Sequence, residues 1–138
     1  MRKSVATLIA AAAFSFSASV ALAEDVVVEP VDTTGLERLG DAWRDLNPYR
    51  GNAKAVEIGA AAFTGNCARC HGEGAVSPGG APDLRFLEKG GAGDQWFSER
   101  VRNGAIRRGV VYMPKFEGAL SQEAVWAIRS WLESVHQN

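Results

Sequence analysis

The chain has 138 residues, 46% of them apolar and 22% charged, with a formal net charge of −1. This is one domain's worth of ordinary globular composition, and it contains no internal repeat. A charge so near zero argues against a general affinity for nucleic acid.

The N-terminus reads as a leader. Arg2 and Lys3 precede an apolar, Ala-rich run from Val5 to Val20, then Ala21-Leu22-Ala23 and acidic Glu24-Asp25. The expectation is a secretory signal peptide over residues 1–23, cleaved after Ala23, and hence a periplasmic protein. An uncleaved anchor is the weaker reading, because the run is short for a span and full of Ala and Ser. Nothing later resembles a membrane segment. Removing the leader leaves 115 residues, with 13 basic and 16 acidic side chains and a net charge of −3.

Residues 24–52 are expected to form an N-terminal extension to a domain spanning 53–138. Asp32-Thr33-Thr34-Gly35 is turn or cap chemistry. Leu36, Leu39 and Trp43 stand at helical spacing, which predicts a short helix within 36–46, ended by Asn47-Pro48. Trp43 and Tyr49 are expected to pack on the domain surface. The first core helix should run from about Asn52 to Gly65, with Val56, Gly59, Ala60 and Phe63 on one face. A mid-helix glycine costs about 1 kcal/mol relative to alanine. Gly59 is therefore expected where another helix crosses closely.

Cys67-Ala68-Arg69-Cys70-His71 follows at once. C-x-x-C-H is the attachment sequence for a c-type haem. Two thiols so spaced reach two vinyl groups on one porphyrin edge and become thioethers. The next histidine then supplies the proximal nitrogen to iron. A thioredoxin-like couple would want a βαβ setting and no histidine. A zinc site lacks ligands, since the chain has only 2 Cys and 2 His. A structural disulfide would close a small strained loop. One covalently bound haem c is the expected cofactor, with Cys67, Cys70 and His71 as its first three attachments.

Beyond His71 the glycines and prolines from Gly72 to Pro82 exclude long regular structure. Pro82-Asp83-Leu84 should wrap the proximal side, with a carbonyl, that of Pro82, accepting the His71 Nδ1 proton. Gly90 to Gly93 reads as a turn, and Asp94 as the N-cap of a helix through Arg102, closed by Asn103-Gly104. Met113 is the sole methionine outside the leader and stands in Tyr112-Met113-Pro114, a stretch expected to be an irregular, Pro-stiffened loop. Its thioether is the expected distal iron ligand, completing a His/Met pair. His136 competes for that role but lies in a terminus expected to fray. The last helix should span about Ser121 to Val135, with Val125, Ile128, Leu132 and Val135 as its apolar stripe; Ile128 and Trp131 are expected to meet Gly59 and Phe63. Arg85, Arg107, Arg108 and the Trp96 indole are candidate partners for the haem propionates. Five basic residues, Arg100, Arg102, Arg107, Arg108 and Lys115, fall between 100 and 115 with no acidic one, and are expected to form a docking rim.

Over roughly residues 53–135 this order of motifs resembles a class I c-type cytochrome. The resemblance rests on Gly59 and Phe63, Cys67 to His71, Pro82 to Leu84, Met113-Pro114, and Ile128 to Leu132. It implies an all-α fold with first and last helices crossed around one haem, a low-spin six-coordinate iron and one-electron transfer rather than enzymatic catalysis. A narrower resemblance spans Asn47 to Asn52, Ala81 to Arg85 and Tyr112 to Gly118. It is to the periplasmic cytochromes c-550 that accept electrons from quinoprotein (PQQ-dependent) alcohol dehydrogenases and pass them towards a terminal oxidase or a further cytochrome. The alternatives are a haem subunit of a larger oxidoreductase, or a haem enzyme or gas sensor with a labile sixth ligand.

Overall fold

The computed structural model describes residues 27–138, so the expected signal peptide lies outside the described residues. The chain runs α1 (Ala53–Asn66), α2 (Ala68–His71), two single 3₁₀ turns (Glu73–Ala75 and Leu84–Phe86), α3 (Gly90–Asn103), β1 (Ala105–Arg107), β2 (Val110–Met113) and α4 (Gln122–Ser134). It is mostly helical, as expected for the class I fold. No helix among the described residues is long and apolar enough to cross a membrane.

The core forms where α1 meets α4. Asn52 caps α1 by accepting from the Ala55 amide at 3.1 Å. Ser121 caps α4 by accepting from Ala124 at 3.2 Å. Each such cap stabilises by about 1 kcal/mol. A Cβ on Gly59 would lie 2.0 Å from the Ala127 carbonyl oxygen and 2.9 Å from the Ile128 amide nitrogen, so the two backbones touch there. One turn on, Phe63 and Trp131 pack with ring centroids 4.5 Å apart. The crossing anticipated from a mid-helix glycine is thus present.

The extension departs from expectation. Residues 36–46 form no helix but a bent strap lying along α4. Its backbone groups find partners on α4 instead of on each other. The Leu39 amide donates to Glu123 at 2.8 Å, the Arg44 amide to Gln122 at 3.2 Å, and the Gln122 side chain donates to the carbonyls of Gly40 and Ala42. Tyr49, expected on the surface, is buried in the core along with Leu39, whereas Trp43 is partly buried against it. This explains why α4 is buried almost all round, including Trp126, Arg129 and Ser130.

A second correction concerns Asp94. It is not an N-cap. α3 begins a turn earlier, at Gly90, whose amide donates to the Glu133 carboxylate at 3.1 Å. Asp94 lies inside the helix, fully buried, where it receives Arg129 Nε at 2.8 Å, the Asn47 amide at 2.9 Å and Arg50 Nη2 at 2.5 Å. Burial pushes this carboxyl up, but the hydrogen bonds from Asn47, Arg129 and Arg50 outweigh it and hold it below its usual 3.8. The cluster ties strap, α3 and α4 together. The C-terminus is also held. His136 Nδ1 bonds the Leu87 carbonyl at 3.1 Å and the Gln137 amide donates to that of Arg85 at 2.9 Å, so the expected frayed tail is not found.

Candidate functional site

The attachment motif grows directly out of α1. The Cys67 amide donates to the Phe63 carbonyl at 2.8 Å, closing that helix. The Cys67 carbonyl then accepts from both Cys70 and His71, at 3.1 and 3.0 Å. Cys67 and Cys70 therefore sit one helical turn apart on a single rigid segment. They form no disulfide with each other. Burial, and secondarily the neighbouring Cys70, pushes the Cys67 thiol up to about 12, so it stays protonated at neutral pH.

His71 is buried, and its Nδ1 lies 2.9 Å from the Pro82 carbonyl oxygen. A carbonyl only accepts, so Nδ1 carries the proton and Nε2 is the basic nitrogen. This is the contact expected of the 82–84 segment. The chain can fold back to make it because Gly72 adopts φ +78°, where a Cβ would meet the Val76 carbonyl at 1.9 Å. Ser77 Oγ closes the intervening loop by donating to the Ala81 carbonyl at 2.5 Å.

Met113 is not on an irregular loop. It is the last residue of β2 in a two-stranded antiparallel hairpin, in which Ile106 pairs with Val111 and Arg107 with Val110. Arg108 and Gly109 make the two-residue turn with φ of 51° and 78°, the geometry such turns require. The Met113 side chain is half-buried and packs against the core. Its backbone is pressed against the end of α3, since a Cβ on Gly104 would lie 2.4 Å from the Met113 carbonyl oxygen.

The remaining candidates are placed as follows. Arg85 grips Asp83 through two hydrogen bonds, at 3.0 and 2.7 Å, so its guanidinium is already engaged. Trp96 is 43% exposed beneath the Arg100 guanidinium. Arg107 lies over the Tyr112 ring at 5.4 Å, and Arg108 stands at the hairpin turn. Of the basic run, Arg100 donates to the Gly104 carbonyl and Arg102 is paired with Glu117. Arg100, Arg107, Arg108 and Lys115 have no ion-pair partner among the described residues, and of these only Arg100 makes a side-chain hydrogen bond.

These residues fit a covalently held haem. Two cysteines share one helical turn, and the adjacent imidazole is fixed through Nδ1, which leaves Nε2 as the nitrogen for iron. Several large apolar side chains, among them Val76, Phe86, Ile106 and Val111, are 48% to 69% exposed. Cys67 and Cys70 would hold the macrocycle by thioether bonds and His71 Nε2 would ligate the iron.

Comparison with known proteins agrees. The family model described as cytochrome c oxidase, cbb3-type, subunit III matches residues 54–132. Cytochrome c550 of Pseudomonas aeruginosa is 62% identical over 123 residues, covering 86% of this chain and 85% of that protein. No solved structure matches the chain. With its C-x-x-C-H turn, its α1–α4 crossing and these relatives, the chain belongs to the class I c-type cytochromes, electron-transfer proteins rather than enzymes that carry a covalently bound haem c.

Proposed function

We propose that this cytochrome is a soluble periplasmic carrier, exported by residues 1–23, whose iron is held between His71 Nε2 and the Met113 sulfur. When bound, the haem supplies an iron that cycles by one electron. The protein's part is to hold two ligands in fixed positions, so that little rearrangement accompanies each transfer. The observation that carries the reading is the Nδ1 hydrogen bond of His71 to Pro82, which fixes the ring and raises the basicity of the free nitrogen. A thioether favours ferrous iron, which raises the potential and suits an acceptor of electrons from a dehydrogenase.

The donor that the loop sequences favour is a quinoprotein alcohol dehydrogenase, with a terminal oxidase or another cytochrome downstream. Arg107, Arg108 and Lys115 form the basic edge for a brief, small contact with an acidic surface on such a partner. Stopped-flow mixing of the ferric protein with ethanol-reduced quinoprotein dehydrogenase tests this. Reduction should be fast at low salt and slow as ionic strength rises. No reduction at any salt concentration would remove this donor while leaving the carrier reading intact.

A second reading has one observation in its favour. The matching family model is described as a subunit of an oxidase, so the chain could serve as the haem subunit of a larger oxidoreductase. Size-exclusion chromatography of a native periplasmic extract separates the two: a carrier elutes near its own 14.7 kDa or slightly below, a subunit far earlier.

A further inference from the structure

The segment that carries Met113 and Pro114 is fastened to α3 on both sides. Before it, the Met113 carbonyl abuts Gly104. After it, the Phe116 amide donates to the Val101 carbonyl at 2.9 Å. Next to that bond, Glu117 Oε1 accepts from both Arg102 Nε and Arg102 Nη2, at 3.0 and 2.7 Å. The guanidinium of Arg102 lies over the indole of Trp43, 4.7 Å from its centroid. Trp43 belongs to the strap, and the residues on either side of it are pinned to Gln122 of α4. A short chain of contacts thus runs from the strap, through one aromatic and one cation, to a carboxylate four residues beyond Met113.

An exposed ion pair alone adds little, and Arg102 and Glu117 are 35% and 41% exposed. Here the guanidinium is held on two sides, by a carboxylate at its edge and an indole on its face, which fixes its orientation. We propose that Trp43, Arg102 and Glu117 are positioning residues through which the N-terminal extension holds the Met113 segment closed, and so sets how readily the sixth iron position exchanges its ligand. The inference rests on Met113 being the distal ligand. Loosening the contact raises the fraction of molecules with the segment displaced. The apparent affinity for an added ligand rises in proportion to that fraction.

The test is imidazole titration of the ferric, haem-loaded full-length protein, followed by its visible spectrum at 25 °C. Trp43→Leu and Arg102→Met should each raise imidazole affinity about three- to tenfold. The double variant should add little to the larger single effect, because the two residues act in series. Arg102→Lys keeps the charge but loses the fork and should fall between. Glu117→Gln, at an exposed site, removes the carboxylate charge that holds Arg102 and should raise imidazole affinity likewise, which repeats the measurement should the Trp43 variant fold poorly. Variants that lower the melting temperature yet bind imidazole like the wild type would overturn the proposal and leave Met113 in place. Met113→Ala is the control: should the wild type bind imidazole as readily as that variant, the distal-ligand reading itself fails, and the positioning role with it.

Discussion

Gly59→Ala sets two effects against each other, and the structure decides the sign. Helix propensity alone favours alanine by about 1 kcal/mol. At Gly59, however, the added Cβ would stand 2.0 Å from the Ala127 carbonyl oxygen and 2.5 Å from its carbon. Carbon prefers non-bonded neighbours at roughly 3.5 Å, so the helices must part by about 1 Å or more. The obstacle is backbone on both sides, so no rotamer change relieves it. Overpacking of this kind costs about 1–3 kcal/mol and at times more, and a backbone clash belongs at the upper end. Parting the helices also loosens the Phe63–Trp131 contact. We expect a net loss of about 2 kcal/mol, which lowers the melting temperature by roughly 10 °C in a domain of this size. Thermal unfolding of the haem-loaded protein, followed by far-UV circular dichroism at neutral pH, measures it. A variant as stable as the wild type, or more stable, would refute the close crossing.

Asp94→Ala should destabilise by about 3 kcal/mol, because it leaves Arg129 buried without its main partner; the lower end applies since Glu133 remains 3.2 Å away. The pH dependence has a definite sign. Asp94 is held below 3.8 in the folded chain, so its contribution is complete above the usual carboxylate pKa and is lost as pH falls through the lowered value; acid titrations of wild type and Asp94→Ala should converge at low pH. Arg108→Glu with Lys115→Glu should slow reduction by the quinoprotein dehydrogenase several-fold at low salt without altering the haem spectrum. Arg102→Glu is the wrong probe of docking, since Arg102 is bound to Glu117. Intact mass of the purified protein should equal the chain from Glu24 plus one haem, and haem should resist acid–acetone extraction; a mass for all 138 residues contradicts the leader.

The site was far more legible than its surroundings. Cys67, Cys70 and His71 fall within five consecutive residues, so their relation survives any error in the fold. Gly59 could be read because a glycine inside an Ala-rich helix is costly without a close neighbour. The strap could not be read: its Leu36, Leu39 and Trp43 keep helical spacing, yet its backbone bonds Gln122 and Glu123, more than 75 residues away. Asp94 misled for the same reason. A carboxylate before apolar residues looks like a cap until a distant arginine, Arg129, claims it. The hairpin carried a weak signal in Val110-Val111-Tyr112, but Arg108-Gly109 is not among the usual turn pairs, because an arginine seldom adopts a positive φ. No signal at all announced that Trp43, Arg102 and Glu117 would meet.

Carbon monoxide offers the most direct test of the central claim, that both axial positions are filled by this chain's own His71 and Met113. Added to the ferrous protein at neutral pH, it should leave the visible spectrum essentially unchanged over minutes. The same addition to Met113→Ala should produce a rapid and complete shift. A fast, complete shift in the wild type would mean an open iron site, and would contradict the carrier in favour of ligand-binding chemistry.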